Sequence, residues 1–250
     1  MKAMVLAAGL GTRLRPLTND RPKALVEVDG HSLLEITLCR LASCGIREVM
    51  VNVHHFADMV VQYLHRNDNF GLRIEISRED DVLLDTGGGL KKAAWFFLQG
   101  GGATDEPFVL HNVDVISTID LERMVQFHRE HDALATLAVQ QRKTSRYLLF
   151  DEYDWLSGRQ TAGNEQEMIR PAQQTTALAF SGIHVISPQL LNMIAEQGVF
   201  SIITTYLRLA AEGHRIRAFR ADEYYWRDLG KPENIVQTEA DIQSGALKIM

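Results

Sequence analysis

The chain is poor in cysteine, with Cys39 and Cys44 its only two in 250 residues. They lie five apart in a helical pattern. That spacing suits neither a disulfide framework nor a zinc site, and a reducing compartment is the simpler setting. Positive charge is also in deficit, since 26 Lys and Arg against 32 Asp and Glu leave a net charge of −6. This argues against a general nucleic-acid surface, and an anionic ligand has to be met by local positive charge. No apolar run reaches the length that spans a bilayer. Met1 to Ala8 sets Lys2 ahead of an apolar stretch in the manner of a signal peptide, but the stretch is too short. Gly-rich basic sequence follows where a small-residue cleavage site would lie. The expectation is a soluble cytoplasmic protein with neither nucleic-acid nor membrane partners, as a monomer or small homo-oligomer.

What is present is an ordinary globular composition, sufficient for one α/β domain or a domain with an insertion. Its densest chemistry lies in the first loop. Met4 to Ala8 reads as a buried strand, and Gly9 and Gly11 then let the backbone turn and approach a ligand with no Cβ in the way. Successive free amides over Ala8, Gly9, Leu10, Gly11 and Thr12 would form an anion-binding concavity, and Arg13, Arg15 and Lys23 add fixed positive charge. A dinucleotide fingerprint fails because its third glycine falls on Leu14. A Walker loop fails because no Gly-Lys-Ser/Thr follows at the required spacing. A phosphate cradle is the reading that remains, against a Gly-rich turn with solvated arginines.

Along the chain, Ser32-Leu33-Leu34-Glu35 predicts a capping box, with Ser32 and Glu35 each meeting an end amide of one helix. Leu33, Leu34, Ile36, Leu38 and Leu41 give that helix its apolar face, and Gly45 ends it. Strands are expected over Glu48–Val53 and Leu72–Ile76, with a helix over Ala57–His65 between them. This alternation predicts a parallel sheet with right-handed crossovers, whose ligands gather at the C-terminal strand ends. His54 and His55 would point to opposite faces and so are assigned to packing. Asp85-Thr86-Gly87-Gly88-Gly89 reads as a loop into a helix over Leu90–Leu98, whose first amides could approach a nucleotide. Trp95, Phe96 and Leu98 are assigned to the core. Gly100-Gly101-Gly102 with Thr104-Asp105 reads as a surface turn.

Phe108 to His111 is a further buried strand, and Asp114 just beyond it is placed to hold a divalent cation. Magnesium takes one or two carboxylates plus phosphate oxygens and water. Thr118 or Asp120 would cap a helix with Leu121, Met124, Val125 and His128 inward, followed by a strand over Ala133–Val139. Residues 142–175 lose periodicity and read as a hairpin and loop insertion at the sheet edge. A strand over Ala177–Ser187, helices over Pro188–Ile194 and Ile202–Ala211, and a strand over His214–Phe219 follow. A last strand delivers Asp228, and Pro232 opens the final helix.

Gly9-Leu10-Gly11-Thr12-Arg13-Leu14-Arg15-Pro16-Leu17-Thr18, followed by Arg21-Pro22-Lys23-Ala24-Leu25-Val26, resembles the signature of sugar-1-phosphate nucleotidyltransferases. The resemblance runs over nearly the whole chain as a single catalytic domain with a Rossmann-like, mostly parallel sheet and helices on both faces. No hexapeptide repeat of the kind that builds a C-terminal β-helix follows. It implies Mg²⁺ as cofactor, a nucleoside triphosphate and a sugar 1-phosphate as substrates, and pyrophosphate as leaving group. In that likeness Arg13 holds the leaving phosphates and Lys23 the α-phosphate. Asp85, Thr86, Gly87 and Gly88 frame base and ribose with the first loop. The Trp226-Arg227-Asp228-Leu229-Gly230 run is similar to the family's Trp-x-Asp-x-Gly, which makes Asp228 the second metal ligand beside Asp114. Asn112, Arg170 and Gly182 fall where relatives hold the sugar phosphate, Arg170 standing in for the lysine of a Glu-Lys-Pro run.

Three positions depart from the family pattern. Asp85 replaces a glycine, Val113 replaces the glycine before the metal-binding aspartate, and Ile169 replaces a glutamate that meets the sugar. The Asp-Thr-Gly-Gly-Gly run is similar to that of bacterial N-acetylmuramate 1-phosphate uridylyltransferases, with guanylyl transfer to mannose or heptose 1-phosphate as the next reading. Two rivals lie outside this chemistry. One is a silent nucleotide-sugar sensor, and the other a glycosyltransferase needing an Asp-x-Asp pair, which Asp80-Asp81 and Asp151-Glu152-Tyr153-Asp154 only loosely imitate.

Overall fold

The computed structural model describes residues 1–99, 105–161 and 165–249. The turn read at Gly100-Gly101-Gly102 and Thr104 lies outside them. The chain begins with β1 (Lys2–Leu6), then a short hairpin of β2 (Glu27–Val28) and β3 (His31–Ser32). Asp29 and Gly30 join those two strands, both with positive φ, as a tight two-residue turn requires. Next come α1 (Leu33–Ser43), β4 (Glu48–Val53), α2 (Ala57–Arg66), β5 (Arg73–Arg78), α3 (Asp85–Lys92), α4 (Ala94–Leu98) and β6 (Phe108–Asn112). β7 (Val115–Ser117), α5 (Leu121–Glu130), β8 (Ala135–Gln140), β9 (Tyr147–Phe150), β10 (Leu156–Gln160) and β11 (Gln166–Met168) follow. The chain closes with β12 (Thr176–Ile186), α6 (Gln189–Asn192), α7 (Ile202–Ala211), β13 (Ile216–Arg220), β14 (Trp226–Asp228) and α8 (Pro232–Gln243).

Among the described residues the main sheet has ten strands, with β11-β10-β9-β12-β6-β1-β4-β5 as its long path and β8 and β13 alongside β12. Strands β1, β4, β5, β6, β8, β9, β11 and β13 run one way and β10 and β12 the other. The fold is thus a mostly parallel α/β sheet with helices on both faces. Period-two alternation divides the core. Ala3, Val5, Val49, Val51 and Val109 face one cluster, beneath α1, α2, α5 and α8. Met4, Met50, Phe108 and Leu110 face the other, beneath α3, α4, α6 and α7. Strands β9, β10 and β11 pair antiparallel with one another and extend the sheet beyond β12, within the stretch read as an insertion. Gly163 of that stretch lies outside the described residues.

Several local expectations change. The first strand ends at Leu6 rather than Ala8, the last ladder bond to β4 being that from the Ala7 amide to the Asn52 carbonyl (3.0 Å). Ser32 caps α1 by accepting from the Glu35 amide at 3.0 Å, but the Glu35 carboxylate does not return to close a capping box. It accepts instead from Tyr63 Oη (2.9 Å) and meets His31 Nδ1 (3.0 Å), tying α1 to α2 and the hairpin. The helix read over Leu90–Leu98 is two, broken at Ala93. The break turns Phe96 and Phe97 inward and leaves Trp95 and Leu98 exposed. Asp120, not Thr118, caps α5, accepting from the Arg123 amide (2.9 Å).

Three buried histidines give the fold an acid weakness. Burial holds His111 and His184 down at about 3, with Arg40 adding to the effect on His111 and His111 adding to that on His184. His128 is held at about 4 by burial and by Arg129, with Thr136 Oγ1 and Ser187 Oγ each 3.0 Å from a ring nitrogen. Below the ordinary value of 6.5, the unfolded chain takes up protons that the folded chain refuses. Stability is therefore complete above that pH and is lost as pH falls toward 3, each site contributing up to about 1.4 kcal/mol per pH unit. Urea unfolding between pH 6.5 and 4 is expected to show this slope. His128→Gln is expected to flatten it by about one site's share, and an unchanged slope would contradict the assignment.

Candidate active site

The parallel register places the site. Leu6 of β1 stands opposite Asn52 of β4 on one side and Asn112 of β6 on the other. These three residues form the floor of a cavity of about 330 Å³ at the C-terminal edge of the sheet. Its walls include Ala8, Gly9, Lys23, Asp85, Thr86 and Asp114, with Leu83 and Val199 at the apolar end. Ligands of open α/β sheets bind at this edge.

The first loop forms one wall. The amides of Gly9, Leu10 and Gly11 make no hydrogen bond to the described residues, which leaves them available to an anion. Gly11 turns at φ 64°, and a Cβ there would lie 3.0 Å from Thr18 Cγ2 and 3.1 Å from Lys23 Cβ. Thr18 Oγ1 closes the loop by donating to the Gly11 carbonyl at 2.9 Å. Lys23 sits in a short 3-10 turn and is 8% exposed, its ammonium paired with the Asp114 carboxylate. A buried lysine is retained only with such a partner.

Asp114 and Asp228 come together through a small ladder that the sequence did not announce. β7 pairs with β14, setting Asp228 opposite Val115, next to Asp114. The Leu229 amide donates to the Asp114 carbonyl at 2.7 Å. The Asp228 carboxylate accepts from the Gly230 amide at 2.6 Å through Oδ1. A Cβ on Gly230 would lie 2.7 Å from Arg13 Nη2, so glycine at this position is what admits the Arg13 guanidinium beside Asp228. Among the described residues no third His, Cys, Asp or Glu completes a closed metal cage. The donor chemistry of two hard carboxylates fits an oxygen-preferring divalent cation.

The second glycine run is placed differently from its reading as a loop. It is the first turn of α3. Asp85 and Thr86 reach the cavity, but Gly87 and Gly88 are buried and their amides donate to the Phe200 carbonyl at 2.9 and 3.3 Å. Their role here is close packing. A Cβ on Gly87 would lie 2.9 Å from the Phe200 carbonyl, and one on Gly88 2.6 Å from that of Gly198. Gly87→Ala is expected to cost about 1–3 kcal/mol of stability, read as a lower urea midpoint, and an unchanged midpoint would contradict the packing role. Asp85 holds a left-handed φ of 59° at the cavity lip, its Oδ1 accepting from the Thr86 amide (2.6 Å).

Of the acceptor-side residues, Asn112 lines the cavity and Gly182 lies against it. A Cβ on Gly182 would meet Asn112 Nδ2 at 2.9 Å, and its φ of 75° marks the bulge where β12 loses register with β8. Gly182 is buried, so its bare backbone faces Asn112. Arg170 is elsewhere. Its guanidinium lies 4.5 Å from the Trp155 ring centre, in a separate depression with Asp151, Asp154 and Arg217. The neighbouring Ile169 packs on the second core and donates to the Ser157 carbonyl, which fixes the direction of this segment.

Sequence reasoning missed Asn52, Glu79, Leu83 and Val199. Glu79 is buried and accepts from Asn52 Nδ2 and the Leu84 amide, both at 2.7 Å. Its backbone carbonyl meets His54 Nδ1, consistent with a packing role for that histidine. A polar residue inside the apolar run Val51-Asn52-Val53 is a usable signal. Val199 carries none, since it comes from the loop between α6 and α7.

A cleft lined by Lys23, Asp114 and the first-loop backbone, with Asp228 and Arg13 on the adjoining ladder and loop, is suited to moving a phosphoryl-linked group. Comparison with known proteins gives the class. The family model for nucleotidyl transferases matches residues 2–245, and the chain belongs to that family. It is 35% identical, over 95% of both chains, to an N-acetylmuramate alpha-1-phosphate uridylyltransferase of Caulobacter vibrioides. It is 27% identical to a mannose-1-phosphate guanyltransferase of Aspergillus oryzae, over 94% of this chain and 62% of that one. The crystal structure of HddC from Yersinia pseudotuberculosis complexed with GMP-PN superposes with a TM-score of 0.74. That likeness covers 96% of this chain and 99% of that one at 19% identity, and it shows the shared fold.

Proposed function

We propose that this nucleotidyltransferase joins UTP to a sugar 1-phosphate, N-acetylmuramate 1-phosphate first among them, in sugar nucleotide biosynthesis. The observation that carries the substrate choice is the 35% identity over 95% of both chains with the Caulobacter uridylyltransferase.

The chemistry follows from the cavity. An oxygen of the sugar phosphate attacks the α-phosphorus, the bond to the β-phosphate breaks, and pyrophosphate departs in line with its charge. The nucleophile is already ionised near neutral pH, so no general base is needed. Such transfers depend on positioning and charge neutralisation. Arg13 meets the leaving phosphates, and the first-loop amides hold the triphosphate. Lys23, held by Asp114, faces the charge that builds on the α-phosphate. Asp114 and Asp228 would hold Mg²⁺, which when bound supplies positive charge to the phosphate oxygens. Asp85 and Thr86 face the ribose and base, with Leu83 and Val199 as apolar walls.

Pyrophosphate release from four nucleoside triphosphates against glucose, mannose, heptose and N-acetylmuramate 1-phosphates tests the substrate choice. The expected maximum is UTP with N-acetylmuramate 1-phosphate. A maximum with GTP and mannose 1-phosphate would overturn it.

A further inference from the structure

With Arg170 stacked on Trp155 in its own depression, the cation for the incoming phosphate has to come from another residue. Arg142 meets the requirement. It leaves the end of β8, and its guanidinium carbon lies over the Trp226 ring, 3.6 Å from the ring centre. Arg142 Nη2 donates to the Phe180 carbonyl at 2.6 Å. Trp226 Nε1 donates to the next carbonyl along, that of Ser181, at 2.7 Å. Both anchors belong to the bulge that places Gly182 against Asn112, so this arrangement is continuous with the cavity floor.

Arg142 is also under-used. Nε is buried without a partner, and Nη1 makes no hydrogen bond to the described residues and is not buried. Burial lowers its pKa below the ordinary arginine value, and Asp228 is the first of the charges that oppose this. On an extended strand residues two apart share a face, so Trp226 and Asp228 project to the same side of β14. Asp228 is therefore flanked by two guanidinium groups, Arg142 on Trp226 and Arg13 against Gly230.

From this geometry we infer that Arg142 binds the phosphate of the incoming sugar 1-phosphate, while Arg13 takes the departing phosphates. The inference rests on the transferase reading above. A guanidinium backed by an indole and one carbonyl has its remaining donors fixed in direction, the arrangement that suits a tetrahedral phosphate. It also places the acceptor phosphate beside Asp228.

The test is steady-state pyrophosphate release by the full chain, with UTP and the best acceptor of the panel varied in turn. Arg142→Gln, which keeps a donor for the Phe180 carbonyl, is expected to raise KM for the sugar phosphate about 10- to 100-fold, the effect of losing a charge-assisted bond. KM for UTP should stay within about twofold, and Arg142→Lys should recover part of the loss. A merely structural Arg142 would move both KM values together and lower the melting temperature in step. That outcome, or no change in either KM, would overturn the inference while the parent remains active. If Arg142→Gln does not fold, Arg142→Lys alone decides, since a point charge without the planar fork should still raise only the sugar-phosphate KM. A parent chain that releases no pyrophosphate over the whole panel overturns the transferase reading itself.

Discussion

Lys23→Met is expected to lower kcat for pyrophosphate release by about 10²–10³-fold, the usual cost of losing one preorganised group at a developing charge. Methionine keeps the stem that packs beside Gly11, where a Cβ on Gly11 would come within 3.1 Å of Lys23 Cβ. The loop should therefore survive and the loss should be in charge. KM for the triphosphate is expected to change far less than kcat, because the developing charge on the α-phosphorus belongs to the transition state. Circular dichroism and the urea midpoint separate this from unfolding. A kcat within a few-fold of the parent would remove Lys23 from the chemistry.

Asp228→Asn is expected to have an effect of the same order, about 10²-fold or more in kcat. The amide oxygen of asparagine can still accept from the Gly230 amide, so the turn into α8 is retained while the charge is lost. A Mg²⁺ titration should then show the half-activating concentration rising by at least about tenfold, as changes even to groups around a ligand commonly do. Asp114→Asn is expected to behave alike. Because the Leu229 amide is held by the Asp114 backbone carbonyl, the β7–β14 ladder does not depend on that side chain. Turnover that persists undiminished in excess EDTA would remove the metal role from both aspartates.

Much of the fold could be read from the sequence because periodicity and capping agree along the first half of the chain. Gly45 is one instance, with the Ile46 amide donating to the Leu41 carbonyl and the Gly45 amide to that of Ala42, the motif its position predicts. Strand β4 and helix α7 have the bounds expected of them. The strand that delivers Asp228 was expected and is β14, but its partner β7 was missed. β7 has three residues, too few for any period to register, although its pairing with β14 is what sets the Asp228 backbone next to that of Asp114.

The second glycine run shows the limit of reading residue type alone. Three successive glycines permit a phosphate-binding loop and a tightly packed helix turn equally well. Phe200, more than a hundred positions away, decides between them by accepting from the Gly87 and Gly88 amides. Arg170 and Arg142 divide in the same way. The local run Met168-Ile169-Arg170-Pro171 pointed to Arg170. Only the tertiary contacts of Trp155 and Trp226 show which arginine stands near Asp228. The first loop was the most legible part of the candidate site, since Gly11, Thr18 and Lys23 lie close in sequence and pack against one another.

The most direct test of nucleotidyl transfer at this cavity is ³¹P NMR of the chain with UTP, N-acetylmuramate 1-phosphate and Mg²⁺. The predicted spectrum shows pyrophosphate and a new diphosphate diester growing in equal amounts as the sugar phosphate signal falls. Orthophosphate and UDP appearing instead, with the sugar phosphate untouched, would contradict the account.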